Sequence, residues 1–387
     1  MSKGGKDMKI LILSCSTGEG HNSAALALKE EFDSRGVKNA FRDPVAFGGK
    51  RAQRFVSSCY NNMIRTSPNA FGAVYKLGEL YYSTGLPSPI YAANAAYCRE
   101  LYSFVQAGGF DAIVATHLYG MEAASAIRRR LGVTIPTYGV LTDYTVIPFF
   151  TEPDIDGYFI PHEEVRSQMT RRGVPSEKIF ATGIPVSPKF YHNLSMGDAR
   201  ALLGIDGARR MLLVMSGGIG GGNLPALCDA LRSAAGSETD IYVMTGKNDR
   251  MRQCLARRYA NDPRVKAVPF TREVNVYMNA ANVLLSKPGG LSSTEAAAAN
   301  VPLIHINSIP GCETHNVQFF LEHGMALPAK TPEDAARLAM MLAGDEKAAE
   351  EMRRRQRDII NPRAAAMIAD ILTERCDGHP QTGVDGE

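Results

Sequence analysis

The feature that most constrains this chain is a rhythm that runs through it in two separate series. Short apolar stretches each lead into a glycine- or polar-rich turn and then a helical segment. The first series predicts strands at residues 9–14, 111–116, 134–141 and 157–160, with a helix over 21–34. The second predicts strands at 211–215, 240–245, 265–268, 282–286 and 301–306. Strands alternating with helices imply an α/β chain whose parallel sheets carry helices on both faces. Between the series, Ile184-Pro185-Val186-Ser187-Pro188 is a proline-bounded connection, which places a boundary near Lys189. The expected organisation is therefore one domain over 1–188, a second over 189–376, and a polar, glycine-containing, disordered tail over 377–387. Two such halves facing each other leave a cleft, and ligands of open α/β sheets sit beyond the carboxyl ends of the strands.

The bulk numbers exclude more than they assign. With 387 residues there is material for two or three domains, and 45% apolar with 21% charged residues is an ordinary globular balance. A net charge of +3 gives no ground for a nucleic-acid partner. The longest apolar stretches, residues 8–13 and 301–306, fall far short of the roughly 20 residues that span a bilayer, so membrane contact is expected to be peripheral. Seven cysteines with no CxxC pair point to neither a disulfide framework nor a zinc site, and to a reducing cytoplasm.

Residues 44–104 interrupt the rhythm. Twelve of the chain's 30 tyrosines and phenylalanines fall between Phe41 and Phe104, without strand alternation. Core packing is the commoner use of such rings and is the expectation. The functional alternative is a membrane-facing lip for an acyl-chain acceptor.

Several turns carry groups able to do chemistry. After the first strand, Ser16-Thr17-Gly18-Glu19-Gly20-His21 opens a helix, where backbone N–H groups and the helix dipole favour negative charge. A helix start also lowers an imidazole's pKa, which keeps His21 neutral and able to accept a proton. By itself the spacing fits a helix-capping histidine equally well. In the second half, Ser216-Gly217-Gly218-Ile219-Gly220-Gly221-Gly222-Asn223 packs five glycines into six residues between a strand and a helix. Such a loop lets backbone amides approach a diphosphate with no Cβ in the way. Lys287-Pro288-Gly289-Gly290-Leu291-Ser292-Ser293-Thr294-Glu295 again joins a strand to a helix, and one carboxylate there, Glu295, can take both ribose hydroxyls. Pro310-Gly311-Cys312-Glu313 follows the next strand, with Asn316 three residues beyond Glu313, a spacing suited to sugar hydroxyls. No paired carboxylates or Asp-x-Asp element stand in a convincing loop, so no divalent metal and no cofactor is required.

In this order and spacing, these elements resemble the monogalactosyldiacylglycerol synthase and processive diacylglycerol glucosyltransferase group of glycosyltransferase family 28. The likeness runs from Met8 to about Leu372. It implies a GT-B fold, two Rossmann-like domains with a UDP-sugar held by the second. Carried over to this chain, it implies that Ser216, Gly217, Gly218, Lys247, Gly289, Gly290, Ser293, Pro310 and Gly311 line the donor, with Phe270 near uracil. Glu295 would lie at the ribose, and Glu313 and Asn316 at the hexose. His21 would be the base or the group that orients the acceptor, supported by Asp143 of Leu141-Thr142-Asp143-Tyr144. Where the group usually carries His and Trp after that Thr-Asp pair, this chain has Ile147 and Phe150. Its usual Gln is Cys312 here.

The expected activity is thus inverting transfer of a hexosyl unit from a UDP-sugar to a lipid acceptor, diacylglycerol or a related glycolipid precursor. The expected place is the inner face of the cell membrane, in peripheral contact. Two other readings share the architecture: a non-hydrolysing UDP-sugar epimerase, and a catalytically silent UDP-sugar-binding regulator.

Overall fold

The computed structural model describes residues 8–15, 19–49, 51, 77–78, 80–82, 84, 86–192, 194–217, 223–308 and 311–377. Two six-stranded sheets, parallel throughout, organise them. The first contains β1 (Lys9–Leu13), β2 (Lys38–Arg42), β3 (Ala112–Ala115), β4 (Thr137–Val140), β5 (Gly157–Ile160) and β6 (Ile179–Ala181), in the order β2-β1-β3-β4-β5-β6. The second contains β7 (Arg210–Met215), β8 (Thr239–Met244), β9 (Val265–Val268), β10 (Val283–Ser286), β11 (Leu303–His305) and β12 (Leu327–Pro328), in the order β12-β11-β10-β7-β8-β9. Central strands such as Ile-Leu-Ile-Leu in β1 and Val-Leu-Leu-Ser in β10 are buried, because helices cover both faces of a parallel sheet.

These orders fix where ligands can sit. In the first sheet the chain steps from β1 outward to β2, then crosses back to place β3 on the other side of β1. The second sheet does the same around β7, with β8 and β9 on one side and β10 on the other. Loops diverge at these reversals, leaving a crevice at the carboxyl ends of β1 and β3, and another at those of β7 and β10.

Six helices position the functional groups or join the lobes: α1 (Glu19–Ser34), α2 (Leu118–Leu131), α3 (Leu224–Ala234), α4 (Gly290–Ala298), α5 (Cys312–Glu322) and α6 (Ala364–Asp377). The sequence-based division departs from the structure at α6. Ile368, Ala369 and Leu372 are fully buried among Ile10, Phe32, Val114 and Phe159, on the first sheet rather than the second. The chain therefore returns to its first lobe, and the stretch 189–376 is not one domain. Asp377, expected at the start of the tail, ends this helix, and the rest of that expectation lies outside the described residues.

The lobes touch closely. Tyr144, from the loop after β4, is buried in the apolar cluster of the second lobe, its ring stacked 4.2 Å from Phe319 at 19°. Its hydroxyl lies 2.8 Å from Thr294 Oγ1. Of the aromatic-rich segment, Tyr81, Tyr82, Tyr91, Tyr97, Tyr102 and Phe104 belong to the first-lobe core, as packing predicts. Residues 52–76 lie outside the described residues.

Candidate functional site

On the first lobe, two histidines meet at the β1/β3 reversal. His21 stands in the first turn of α1, and His117 caps α2 directly after β3. Their rings pack edge to face at 4.7 Å. His21 Nδ1 lies 3.0 Å from the Thr116 carbonyl and 2.9 Å from Thr142 Oγ1. A carbonyl only accepts, so Nδ1 carries the proton and Nε2 keeps its lone pair. The Thr116 hydroxyl donates to the His21 carbonyl at 2.9 Å, which pins the same turn from a second direction. Burial lowers the His21 pKa, opposed by the nearby Asp143 charge and the Thr116 carbonyl. The main cause is thus desolvation, where the sequence pointed to the helix start. His117 lies well below its ordinary value, through burial and then through His21. The site presents neutral imidazoles at pH 7.

Asp143 is joined to the second lobe rather than to His21 by a direct bond. Its Oδ1 accepts from Asn316 Nδ2 at 2.8 Å, and the same amide nitrogen donates to the Pro288 carbonyl at 3.0 Å. Asn316 Oδ1 accepts from the Tyr144 N–H at 2.8 Å. Asn316 is fully buried with both N–H donors engaged, so in this structure it clasps the lobes instead of offering donors to a hexose. Gly290 serves the same closeness. A Cβ there would lie 2.0 Å from the Thr142 carbonyl oxygen and 3.0 Å from Asp143 Cα, so its bareness is required by the first lobe. Ser293 is engaged inside the protein: its hydroxyl meets His305 Nε2 at 3.0 Å in the core, and its N–H is bonded to the Gly289 carbonyl. Position 293 lies on the sheet-facing side of α4, and helical periodicity turns it inward.

On the second lobe, the β7 and β10 turns come together. Ser216 is buried and its hydroxyl donates to the Met244 carbonyl at 3.1 Å, holding the end of β7 to β8. Gly217 follows with φ +75°, and Lys287 Cδ lies 3.8 Å from where its Cβ would stand. The Lys287 ammonium is 3.0 Å from Glu313 Oε1, with both side chains largely shielded. Gly289 caps α4, and Gly311, with φ +122°, precedes α5. Glu295, one turn further along α4, has its carboxyl pushed up to about 8 by burial, with the Lys189 charge pulling the other way. Lys247 sits in the turn after β8, and Phe270 is exposed beyond β9. Gly218 and Pro310 lie outside the described residues, as do Ser16, Thr17 and Gly18.

Four contributors carried no role in the sequence reading: His117, Thr116, Thr142 and Lys287. His117 had a usable signal, a histidine directly after an apolar strand. Its pairing with His21 follows from β3 lying beside β1, which strand order alone reveals. Ile147 and Phe150 belong to the first-lobe core, so this part of the segment packs inward. The Cys312 thiol is held well above its ordinary value by burial and by the Asp143 and Glu313 charges, so it stays neutral.

Comparison with known proteins bears on the family and the fold. Residues 21–186 match the monogalactosyldiacylglycerol (MGDG) synthase family, and residues 220–359 match the glycosyltransferase family 28 C-terminal domain. A processive diacylglycerol beta-glucosyltransferase of Bacillus pumilus is 26% identical over 376 residues, 95% of each chain. Among solved structures, MurG of Acinetobacter baumannii superposes with a TM-score of 0.63 at 15% identity, covering 95% of this chain and 99% of that one. A putative UDP-N-acetylglucosamine 2-epimerase of Listeria monocytogenes gives 0.63 at 12% identity, covering 97% and 98%. At such identities these two show the shared GT-B-type fold alone. With both halves matched in sequence order, the chain belongs to the monogalactosyldiacylglycerol synthase and processive diacylglycerol glucosyltransferase group of glycosyltransferase family 28.

Proposed function

We propose that this chain transfers a hexosyl unit from a UDP-sugar to a lipid hydroxyl, with inversion and without a metal at the diphosphate. The observation that carries the reading is the opposition of two unlike crevices. The His21 crevice meets the second lobe's donor-side turn through Thr142, whose hydroxyl lies 2.9 Å from His21 Nδ1 and whose carbonyl oxygen abuts Gly290, in the turn that also carries Lys287. The acceptor hydroxyl gives its proton to His21 Nε2 as its oxygen attacks the anomeric carbon. The bond to UDP breaks on the opposite face. The imidazolium that forms is stabilised by the Thr116 carbonyl and the Asp143 charge, which already favour it in the resting site. Negative charge arriving on the diphosphate meets the Gly217 turn, the start of α3 and Lys287, the task a metal ion performs elsewhere. Glu295 takes the ribose hydroxyls and Glu313 a hexose hydroxyl.

A lipid acceptor at a membrane surface is supported by the activity of the Bacillus relative and by three exposed leucines, Leu77, Leu80 and Leu86, at the edge of the first lobe. No helix among the described residues is long and apolar enough to cross a membrane, so the proposed contact is peripheral, at the inner face. The test is incubation with a panel of UDP-sugars and diacylglycerol in mixed micelles, followed by mass spectrometry and NMR of the lipid. A β-linked glycolipid from an α-linked donor is expected. Release of an isomerised UDP-sugar with no glycolipid would instead favour an epimerase.

A further inference from the structure

Away from the reversal crevices, a second cluster of polar groups joins the lobes. His162 and Glu164 follow β5 on the first lobe, and His323 caps the carboxyl end of α5 on the second. One ligand-capable atom from each lies within 4.8 Å of the other two. The His323 ring is held from both sides. Its Nδ1–H donates to the Phe319 carbonyl at 2.8 Å, and its Nε2 lies 2.9 Å from Glu164 Oε1. A neutral imidazole has one N–H, and the carbonyl takes it. In the neutral ring the nitrogen lone pair and the carboxylate oxygen face each other across 2.9 Å, a pair that either a second ring proton or a metal ion satisfies.

The surroundings match what metal sites require of a histidine. A backbone carbonyl on the distal nitrogen fixes tautomer and ring orientation. Phe319 packs against both imidazoles, 5.1 Å from His162 and 4.3 Å from His323, which holds the rings without competing for their nitrogens. His162 Nδ1 accepts only a long 3.4 Å bond from the Glu164 N–H and lies 3.8 Å from Glu164 Oε1, within reach of the same ion. The Glu164 side chain is 55% exposed, which leaves it free to adjust and leaves a fourth position to water. Two imidazoles, one carboxylate and a water are a set that zinc accepts, with ligand distances of about 2.0–2.2 Å.

We propose that His162, Glu164 and His323 form a divalent-cation site, best matched to zinc, that ties the carboxyl end of α5 to the first lobe. The other end of this helix is already clasped through Asn316, and Tyr144 stacks on its middle. A cation at His323 would fix the whole helix, and with it Glu313, against the first lobe.

The experiment is calorimetric titration of zinc chloride into the tag-free, full-length, chelator-stripped protein, with His323→Gln and His162→Gln variants alongside. One saturable site per chain is expected, weakened at least about 10-fold in each variant, with a zinc-dependent rise in melting temperature that both variants lose. Unchanged circular dichroism and unchanged zinc-free melting temperatures verify that the variants fold. Absence of saturable binding would overturn the proposal and leave a proton as the bridge between His323 and Glu164. Equal binding by wild type and the His323 variant would overturn it too, placing the ion on other groups such as the exposed Cys254 thiol. The readout is metal alone, so it can fail while the transferase reading stands.

Discussion

The two strand-order reversals are built from opposite materials. At the first, the working groups are side chains: His21, Thr116, Thr142 and His117, half-buried or buried and held by a short network. At the second, the working groups are mostly backbone, a positive-φ glycine and two helix starts, with Lys287 as a point charge between them. The difference follows from the chemistry each must do. A base has to change protonation state during the reaction, so its pKa must be set by burial and neighbours. A cradle for a departing diphosphate must only be in place beforehand, and fixed amides with one cation achieve that without titrating.

The contrast can be broken by single substitutions. His21→Ala is expected to lower turnover by about 100- to 10,000-fold while leaving UDP affinity unchanged by calorimetry, since the base is absent from the donor side. Near-wild-type turnover would remove His21 from the chemistry. Next in size, Lys287→Ala is expected to lower turnover by about 100- to 1,000-fold, as loss of a preorganised charge at the leaving group does. A rate unchanged within error would leave the amides alone responsible.

Glu295 sharpens the comparison, because it is a second-lobe carboxyl whose pKa burial moves into the working pH range. Its carboxyl, at about 8 when the site is empty, is mostly protonated at pH 7. Ribose hydroxyls donate to the ionised form, so binding must lower that pKa and release up to one proton. UDP affinity should rise with pH through about 8, and calorimetry in buffers of different ionisation enthalpy should register the proton. Glu295→Gln should weaken UDP by roughly 10- to 100-fold, the scale of a charged hydrogen bond, and abolish the pH dependence. A pH-independent affinity in the unsubstituted protein would detach Glu295 from the ribose.

The strand series of both lobes was legible because buried parallel strands are continuous apolar runs. Three strands were not, and all three lie at sheet edges: β2 reads Lys-Asn-Ala-Phe-Arg, β6 is three residues long and β12 is two. Edge strands bury less, so their sequences carry less of the apolar signal. The return of α6 to the first lobe was illegible for another reason, since Leu372 and its partners Ile10 and Phe32 are separated by most of the chain. At the site, the turns that cradle ligands announce themselves through glycine, whereas the direction of a side chain does not. Ser293 and Asn316 stand in the expected motifs, yet one faces the core and the other the opposite lobe. Gly290 stands in the motif carried over as donor-lining, and the close approach of Thr142 that its bareness permits could not be read from the sequence.

The division of work between the lobes depends most directly on which nitrogen of His21 bears the proton. Nitrogen-15 NMR of the labelled imidazole at pH 7 reads this without any substrate. A neutral ring with the proton on Nδ1, an unprotonated Nε2 and a titration midpoint below 6.5 is predicted. A ring protonated on Nε2, or doubly protonated at pH 7, would leave no base in the first crevice and contradict the assignment of His21 to the chemistry.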